Sequence, residues 1–590
     1  MHCHRYSTAI LLHRYSAGPP LAPALAARDI AVQSVRPVRG MPPILHRSRI
    51  HMRLRTCLAS GTLAALLVTP AAAQSRSAPY DLVISRGTLI DGTGSPRRVA
   101  DVAVRDGRVV LVSGAPIAAA RATRVIDARG LIVAPGFIDL HAHLEPILDM
   151  PDAQSHARQG VTLALGGPDG GGPWPFGAYL DSVRRRPLGM NVAFLAGHNT
   201  IRRAVMGTDN RAPTAAEQAR MQQMVAQSMR DGAFGLSTGL RYLPGTYSKT
   251  DEVVALARVA ADSSGIYTSH LREEGVGLIE GVAEAIEIGR QAQIPIVLTH
   301  HKVVGRLMWG RSVQTLAMVD SARTVGVDVM LDQYPYTASY TSLSVLIPSW
   351  ALAGGNAALK SRMADPVLRD SITRGIVELL RNDRGGGDLQ RVQFSRVAWD
   401  PSLNGKTMRD LLVARGVEPT LENAPPFILD GVLSGDAGMV YHVMDEADVR
   451  RIMAHPQTMV ASDGRITKLG AEVPHPRNFG TFPRVLGRYV RDEHALTLEQ
   501  AVRKMTAMPA ARLDLRDRGC LRAGCAADVV LFDATTVRDV GTFEDPHHYP
   551  EGIPYVIVAG QAVVDNGVFT SARPGQVIVR TPGRRRAEHR

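Results

Sequence analysis

Apolar and polar positions alternate in two distinct textures along this chain. Between residues 80 and 135, short apolar or alternating runs at 81–85, 99–104, 109–112 and 125–127 are punctuated by Asp91-Gly92, Asp106-Gly107 and Arg129-Gly130. A period of two bounded by glycine-containing dipeptides predicts β-strands joined by tight turns. The same texture returns at 528–533 and 555–564, with Asn566-Gly567 as the next turn. These two pieces are expected to build one small β-domain from both ends of the chain.

Between them the rhythm changes. Apolar runs at 136–140, 162–165, 192–196, 266–268, 295–298, 327–331 and 459–461 are interleaved with helical periodicity at 215–230, 250–263, 276–292 and 498–506. Thr497 stands before the last of these with Gln500 three residues on, the spacing of a capping box. Strand then helix, repeated, predicts an α/β architecture, a parallel sheet or barrel. Residues about 340–440 break the pattern and read as an insertion, which contains a glycine-rich loop at 384–388. That loop does not follow a strand and open a helix, so it does not read as a phosphate cradle.

Composition refines this picture. Of 590 residues 45% are hydrophobic and 21% charged, which suits a globular chain rather than a disordered one. The net charge of +13 would suggest a nucleic-acid partner, but its distribution argues otherwise. Residues 1–73 hold nine Arg and one acid, Asp29, and residues 580–590 hold five Arg and Glu588, which leaves the body at +1. No nucleic acid is expected.

From Met52 the chain shows Arg53 and Arg55, an apolar stretch at 58–68 and then Ala71-Ala72-Ala73. This is the layout of an export signal, residues 52–73, with cleavage before Gln74. The stretch is shorter than the roughly 20 residues a membrane span needs, so a periplasmic or secreted protein with no stable membrane span is expected. Residues 1–51 have no periodic apolar face and read as a disordered upstream extension. Of four cysteines, Cys520 and Cys525 would remain after cleavage, as one small-loop disulfide or as two buried thiols. The expected order is 74–135 β-sandwich, 136–508 barrel, 509–575 β-sandwich, and 576–590 a basic tail.

Candidate chemistry sits at strand ends. His141 and His143 follow an apolar run, and positions i and i+2 of a strand point to one face, so both imidazoles can reach one ion. His270, His300 and Asp463 each follow a later apolar run. Neutral imidazoles with a carboxylate suit zinc, and catalytic groups of βα barrels lie at the C-terminal ends of the strands.

Gly136-Phe-Ile-Asp-Leu-His-Ala-His143 resembles the metal motif of the amidohydrolase superfamily. Gly197-His-Asn-Thr200, Gly232-Ala-Phe-Gly-Leu-Ser-Thr-Gly-Leu240, Thr299-His-His-Lys302, Asp332-Gln-Tyr-Pro-Tyr336, Ser462-Asp-Gly464 and the stretch from His475 to Leu486 resemble the D-aminoacylase (N-acyl-D-amino-acid deacylase) family. The resemblance implies a TIM-like (β/α)8 barrel, a small β-sandwich from both chain ends and an insertion in the barrel. It also implies one or two zinc ions (or another divalent metal) and a small-molecule substrate. His270 and His300 would hold the tighter ion, with His141, His143 and Asp463 around a second position. Asp463 would also serve as general base, and Lys302, Tyr334 and Arg477 would hold the substrate carboxylate.

The sequence departs from the family where a Cys ligand is expected, because Asp169 stands there. It reads as a bridging ligand or as part of a Pro168-Asp169-Gly170 turn. His198 is assigned a supporting polar role near the carbonyl, with a structural hydrogen bond as the alternative. His301 is expected to pack or bond locally, and Arg272, Glu273 and Glu274 read as a solvated helix start, with lining of the pocket as the alternative. The expected activity is metal-dependent hydrolysis of N-acyl-D-amino acids. A related amidohydrolase acting on dipeptides or cyclic amides, and an exported metal-binding protein without turnover, are the alternatives.

Overall fold

The computed structural model describes residues 78–580, so the expected export signal at 52–73, the expected upstream extension at 1–51 and Arg584–Arg586 of the expected basic tail lie outside the described residues. Eight strands run parallel in chain order: Phe137–Asp139, Val161–Gly166, Asn191–Phe194 continuing as Ala196–Gly197, Gly235–Gly239, Ile266–His270, Ile296–Leu298, Val329–Gln333 and Thr458–Val460. Each pairs in parallel with the next. The eighth returns to the first through their tips: Gly464–Arg465 pairs in parallel with Ala142–His143, and Asp463 N donates to His141 O at 2.8 Å. This is the (β/α)8 barrel.

Apolar side chains explain the helices between the strands. Ala215–Arg230 buries Met221, Met224, Val225 and Met229 on one face, and its Thr214 and Glu217 form a capping box. Leu498–Met505 starts with the Thr497–Gln500 box expected from the sequence. The fourth strand, Gly235–Gly239, was not expected from the apolar pattern, because its five residues are Gly, Leu, Ser, Thr and Gly.

Strands from both flanks of the barrel join in one nine-stranded sheet. Its central seam is the antiparallel pairing of Ile132–Pro135 with Val529–Phe532. The run at 555–564 is two strands, Tyr555–Val558 and Gln561–Asp565, because Ala559 and Gly560 turn at positive φ. Within the tail expected at 576–590, residues 576–580 follow the barrel: Val192 N donates to Gln576 O at 2.9 Å and Ile578 N to Val192 O at 2.7 Å. This segment therefore lies along the third barrel strand.

Cys520 and Cys525 form a disulfide. The loop it closes meets the N-terminal strand Arg108–Ser113, where Gly524 N donates to Val109 O and Val109 N to Cys525 O. Closing so short a loop is worth about 2 kcal/mol on the chain-entropy model. Cys520→Ser is expected to lower unfolding free energy in urea by about that amount, with hydrolytic activity unchanged.

The insertion lies between the seventh and eighth strands. Ser339–Ser342, Gly438–Tyr441 and Val392–Arg396 form a three-stranded antiparallel sheet, with helices that include Pro366–Asn382 and Pro425–Leu433. Ile372, Ile376, Phe394, Leu412 and Ile428 belong to its own core, separate from the barrel's. It packs over the C-terminal ends of the strands, so its inner edge forms one wall of the barrel's mouth. No helix among the described residues is long and apolar enough to cross a membrane.

Candidate metal centre

The strand ends converge as their positions imply. Asp139, fully buried on the first strand, accepts from Ser462 N at 2.9 Å, Ser462 Oγ at 2.5 Å and His141 N at 3.2 Å. Burial pushes its carboxyl up to about 6, against the pull of the Ser462 and His141 bonds. These contacts hold the tips of the first and last strands together and so aim His141, His143 and Asp463 at one another. His143 Nε2 is 3.2 Å and His141 Nε2 3.4 Å from Asp463 Oδ1.

Asp169 stands between two ligand groups. Its Oδ2 is 3.5 Å from His141 Nε2 and 3.7 Å from His143 Nε2, and its Oδ1 is 3.3 Å from His300 Nε2 and 3.9 Å from His270 Nδ1. His141, His143, Asp169 and Asp463 form one set able to hold an ion, and Asp169, His270 and His300 form another. Asp169 occupies a turn, and that turn places its carboxylate between the two sets. Ser237 fixes that turn, donating to Gly167 O at 2.6 Å and accepting from Gly170 N at 3.1 Å.

The residues fit a divalent ion. His141 Nε2 and Asp169 Oδ1 are buried without a hydrogen-bond partner, which is costly unless a cation satisfies them. Imidazole nitrogens with carboxylate oxygens are donors suited to zinc. Asp169, His300 and Asp463 also share a left-handed backbone, with φ of 52°, 37° and 49°. Such strain concentrates at functional sites, where the surrounding structure holds it.

A cavity of about 610 Å³ opens over the two sets, lined by His143, Asp169, His270, His300, Lys302, Tyr334, Asp463 and Arg477. Arg477, 2% exposed, pairs with Asp463 Oδ2 at 2.8 Å, lies 4.6 Å from the centre of the Tyr334 ring, and keeps Nε without a partner. Burial alone would raise the Asp463 carboxyl; the Arg477 guanidinium and the His141 imidazole outweigh it and hold it well below the usual range. Lys302 Nζ donates to Glu274 Oε1 at 2.5 Å, and burial lowers its ammonium against that attraction. The Tyr334 hydroxyl faces Met444 Sδ at 3.8 Å.

The structure corrects two expectations. His198 does not reach the cavity: its Nε2 meets Glu252 Oε1 at 2.9 Å at the start of helix His198–Met206, beside buried Arg202. It is a structural histidine. Glu274 is not solvated; it is 3% exposed and lines the cavity, as does Arg384 from the insertion's glycine-rich loop. Only the latter's place in a long insertion concealed it. Arg272 and Glu273 lie in the loop before helix Leu278–Ala292 and pair with Glu284 and Arg241. His301 bonds locally to Thr315 Oγ1 at 2.9 Å.

Residues 124–339 and 375–564 match the amidohydrolase family (Amidohydro_3). The chain belongs to that family. It is 38% identical over 532 residues to a D-aminoacylase of Alcaligenes xylosoxydans xylosoxydans, covering 86% of this chain and 99% of that protein. An N-acyl-D-glutamate deacylase of the same organism is 37% identical, covering 85% and 96%. Among solved structures, an N-acyl-D-glutamate deacylase from Bordetella bronchiseptica complexed with zinc and a phosphonate inhibitor superposes with a TM-score of 0.73 at 36% identity, covering 84% and 99%. The paired ligand sets of this amidohydrolase thus occur in a fold whose relatives include a zinc complex.

Proposed function

We propose that this amidohydrolase cleaves the linear amide of N-acyl-D-amino acids, releasing a carboxylate and a free D-amino acid, with zinc held by the Asp169-linked sets. The observation that carries this reading is the juxtaposition of two metal-ligand sets with a buried, partly unpartnered guanidinium in one cavity. The reading is supported by relatives that are a D-aminoacylase and deacylases of N-acyl-D-glutamate and N-acyl-D-aspartate.

Zinc, when bound, polarises an amide carbonyl and acidifies water. The remaining work falls to the chain. Arg477 offers a planar fork matched to a free carboxylate, and the face of Tyr334 holds that fork in place. Asp463, ionised in its buried pair, accepts a proton at its carboxylate and returns it to the leaving nitrogen. The insertion strands form one wall of the cavity, and the burial of Asp463 and Arg477 within it strengthens their charge interaction.

We further propose export to the periplasm or beyond, supported by the signal-like segment 52–73 and by the Cys520–Cys525 disulfide, which suits an oxidising compartment.

The test is a screen of zinc-loaded protein against paired N-acetyl-D- and N-acetyl-L-amino acids, scoring released amino acid by mass spectrometry. Turnover of D but not L substrates is expected. Hydrolysis of dipeptides or cyclic amides, with neither enantiomer of the linear series cleaved, would overturn the reading.

A further inference from the structure

One buried carboxylate lies behind both imidazoles of the second ligand set. His270 Nδ1 and His300 Nε2 face each other at 2.7 Å beside Asp169, so His270 Nε2 and His300 Nδ1 are turned away from the ligand cluster. Both of these outward nitrogens meet Glu274: His270 Nε2 is 3.5 Å from Oε2, and His300 Nδ1 is 3.2 Å from Oε1. Two cations hold the same carboxylate, and one of them, Lys302, also lies 2.5 Å from His300 Nδ1. Lys302 Nζ takes Oε1 at 2.5 Å and Arg384 Nη2 takes Oε2 at 2.7 Å, and the four side chains are at most 3% exposed.

Arg384 reaches this position from outside the barrel. It follows helix Pro366–Asn382 of the insertion, and its neighbour Asp383 is anchored to Arg241 Nη2 at 2.6 Å. Two glycines make room here. A Cβ on Gly275 would lie 2.9 Å from the Asp383 carboxylate Oδ1, and one on Gly385 would collide with the Leu380 carbonyl oxygen. Within the glycine-rich loop, Gly385 lets the chain turn tightly against Leu380 beside Arg384.

A carboxylate behind a ligating imidazole fixes the ring and raises its basicity, and losing such a partner costs about 10–100-fold in metal affinity or activity. Without Arg384, Oε2 keeps no cation, and the carboxylate is free to turn toward Lys302 and away from His270. We propose that Arg384 is a positioning residue that holds Glu274 behind His270 and His300, so that docking of the insertion sets the metal affinity of that ligand set. This rests on the metal-dependent reading above.

The experiment is a zinc titration of the metal-stripped full-length protein against a chromophoric chelator, which needs no substrate and so stands even if the substrate assignment fails. Arg384→Ala is expected to weaken one of two zinc positions by about 10–100-fold, with guanidinium ion restoring part of the loss and Arg384→Lys falling between. Arg381→Ala, at an exposed ion pair with Glu422, is the control with no change expected. Unchanged zinc affinity in Arg384→Ala, with KM alone raised, would instead make Arg384 a substrate contact and overturn the proposal. Should that variant not fold, Glu274→Gln carries the same decision: unchanged affinity there overturns it equally.

Discussion

Asp463→Asn is expected to lower kcat by about 10²–10⁴ while the chain stays folded, as read by circular dichroism and steady-state assay on the best N-acyl-D-amino acid. Asn is the informative replacement because Asp463 sits at φ 49°, a conformation that Asn tolerates better than Ala. The backbone bond from Asp463 N to His141 O and the packing of Arg477 can therefore persist. What the variant loses is the negative charge that lies 3.2 Å from His143 Nε2 and 2.8 Å from Arg477 Nη1, together with the site's proton acceptor. A metal-binding protein without turnover would show altered zinc content and no activity to lose. Elemental analysis beside the assay separates the two.

Asp169→Asn is expected to act on both ligand sets at once. Each oxygen of Asp169 faces a different set, so one substitution removes the charge that both share. Loss of a partner behind a ligand costs about 10–100-fold, and loss of a shared ligand is expected to exceed about 100-fold in zinc affinity, with activity falling in step. Asn again suits the φ of 52° at this position, so the effect reports on charge rather than backbone strain. Asp169→Cys supplies a single sulfur in place of two oxygens and is expected to restore one tight zinc per chain. Two zinc ions bound to Asp169→Asn with unchanged affinity would remove Asp169 from the ligands.

Asp169 was legible only through the family resemblance. Asp463 and the four histidines His141, His143, His270 and His300 were legible in the sequence because each follows an apolar strand, and burial of a strand in a barrel obliges an apolar run. The same rule explains the strand that escaped. Gly235–Gly239 has glycines at both ends and hydroxyls at its centre, since Ser237 bonds the Asp169 turn and Thr238 bonds the Tyr267 hydroxyl at 2.8 Å. Its side chains are spent on hydrogen bonds, so it carries little apolar signal. Glu274 and Arg384 were hidden for another reason. They are 110 residues apart, and their burial arises only when the insertion docks on the barrel, a contact that no local pattern encodes. His198 misled in the opposite direction, because a buried hydrogen bond with Glu252 has no signature that separates it from a catalytic pair.

The seam between Ile132–Pro135 and Val529–Phe532 also constrains how this chain can mature. Its partners are roughly 400 residues apart, which makes it among the most non-local pairings in the molecule. Such contacts form late and slowly, because the intervening chain must be gathered before they yield any free energy. During synthesis, Ile132–Pro135 and the apolar strands beside it remain an unprotected sheet edge until the last tenth or so of the chain has emerged. An incomplete chain is therefore prone to aggregate, and a chaperone or export factor that keeps it unfolded would protect its longest vulnerable interval.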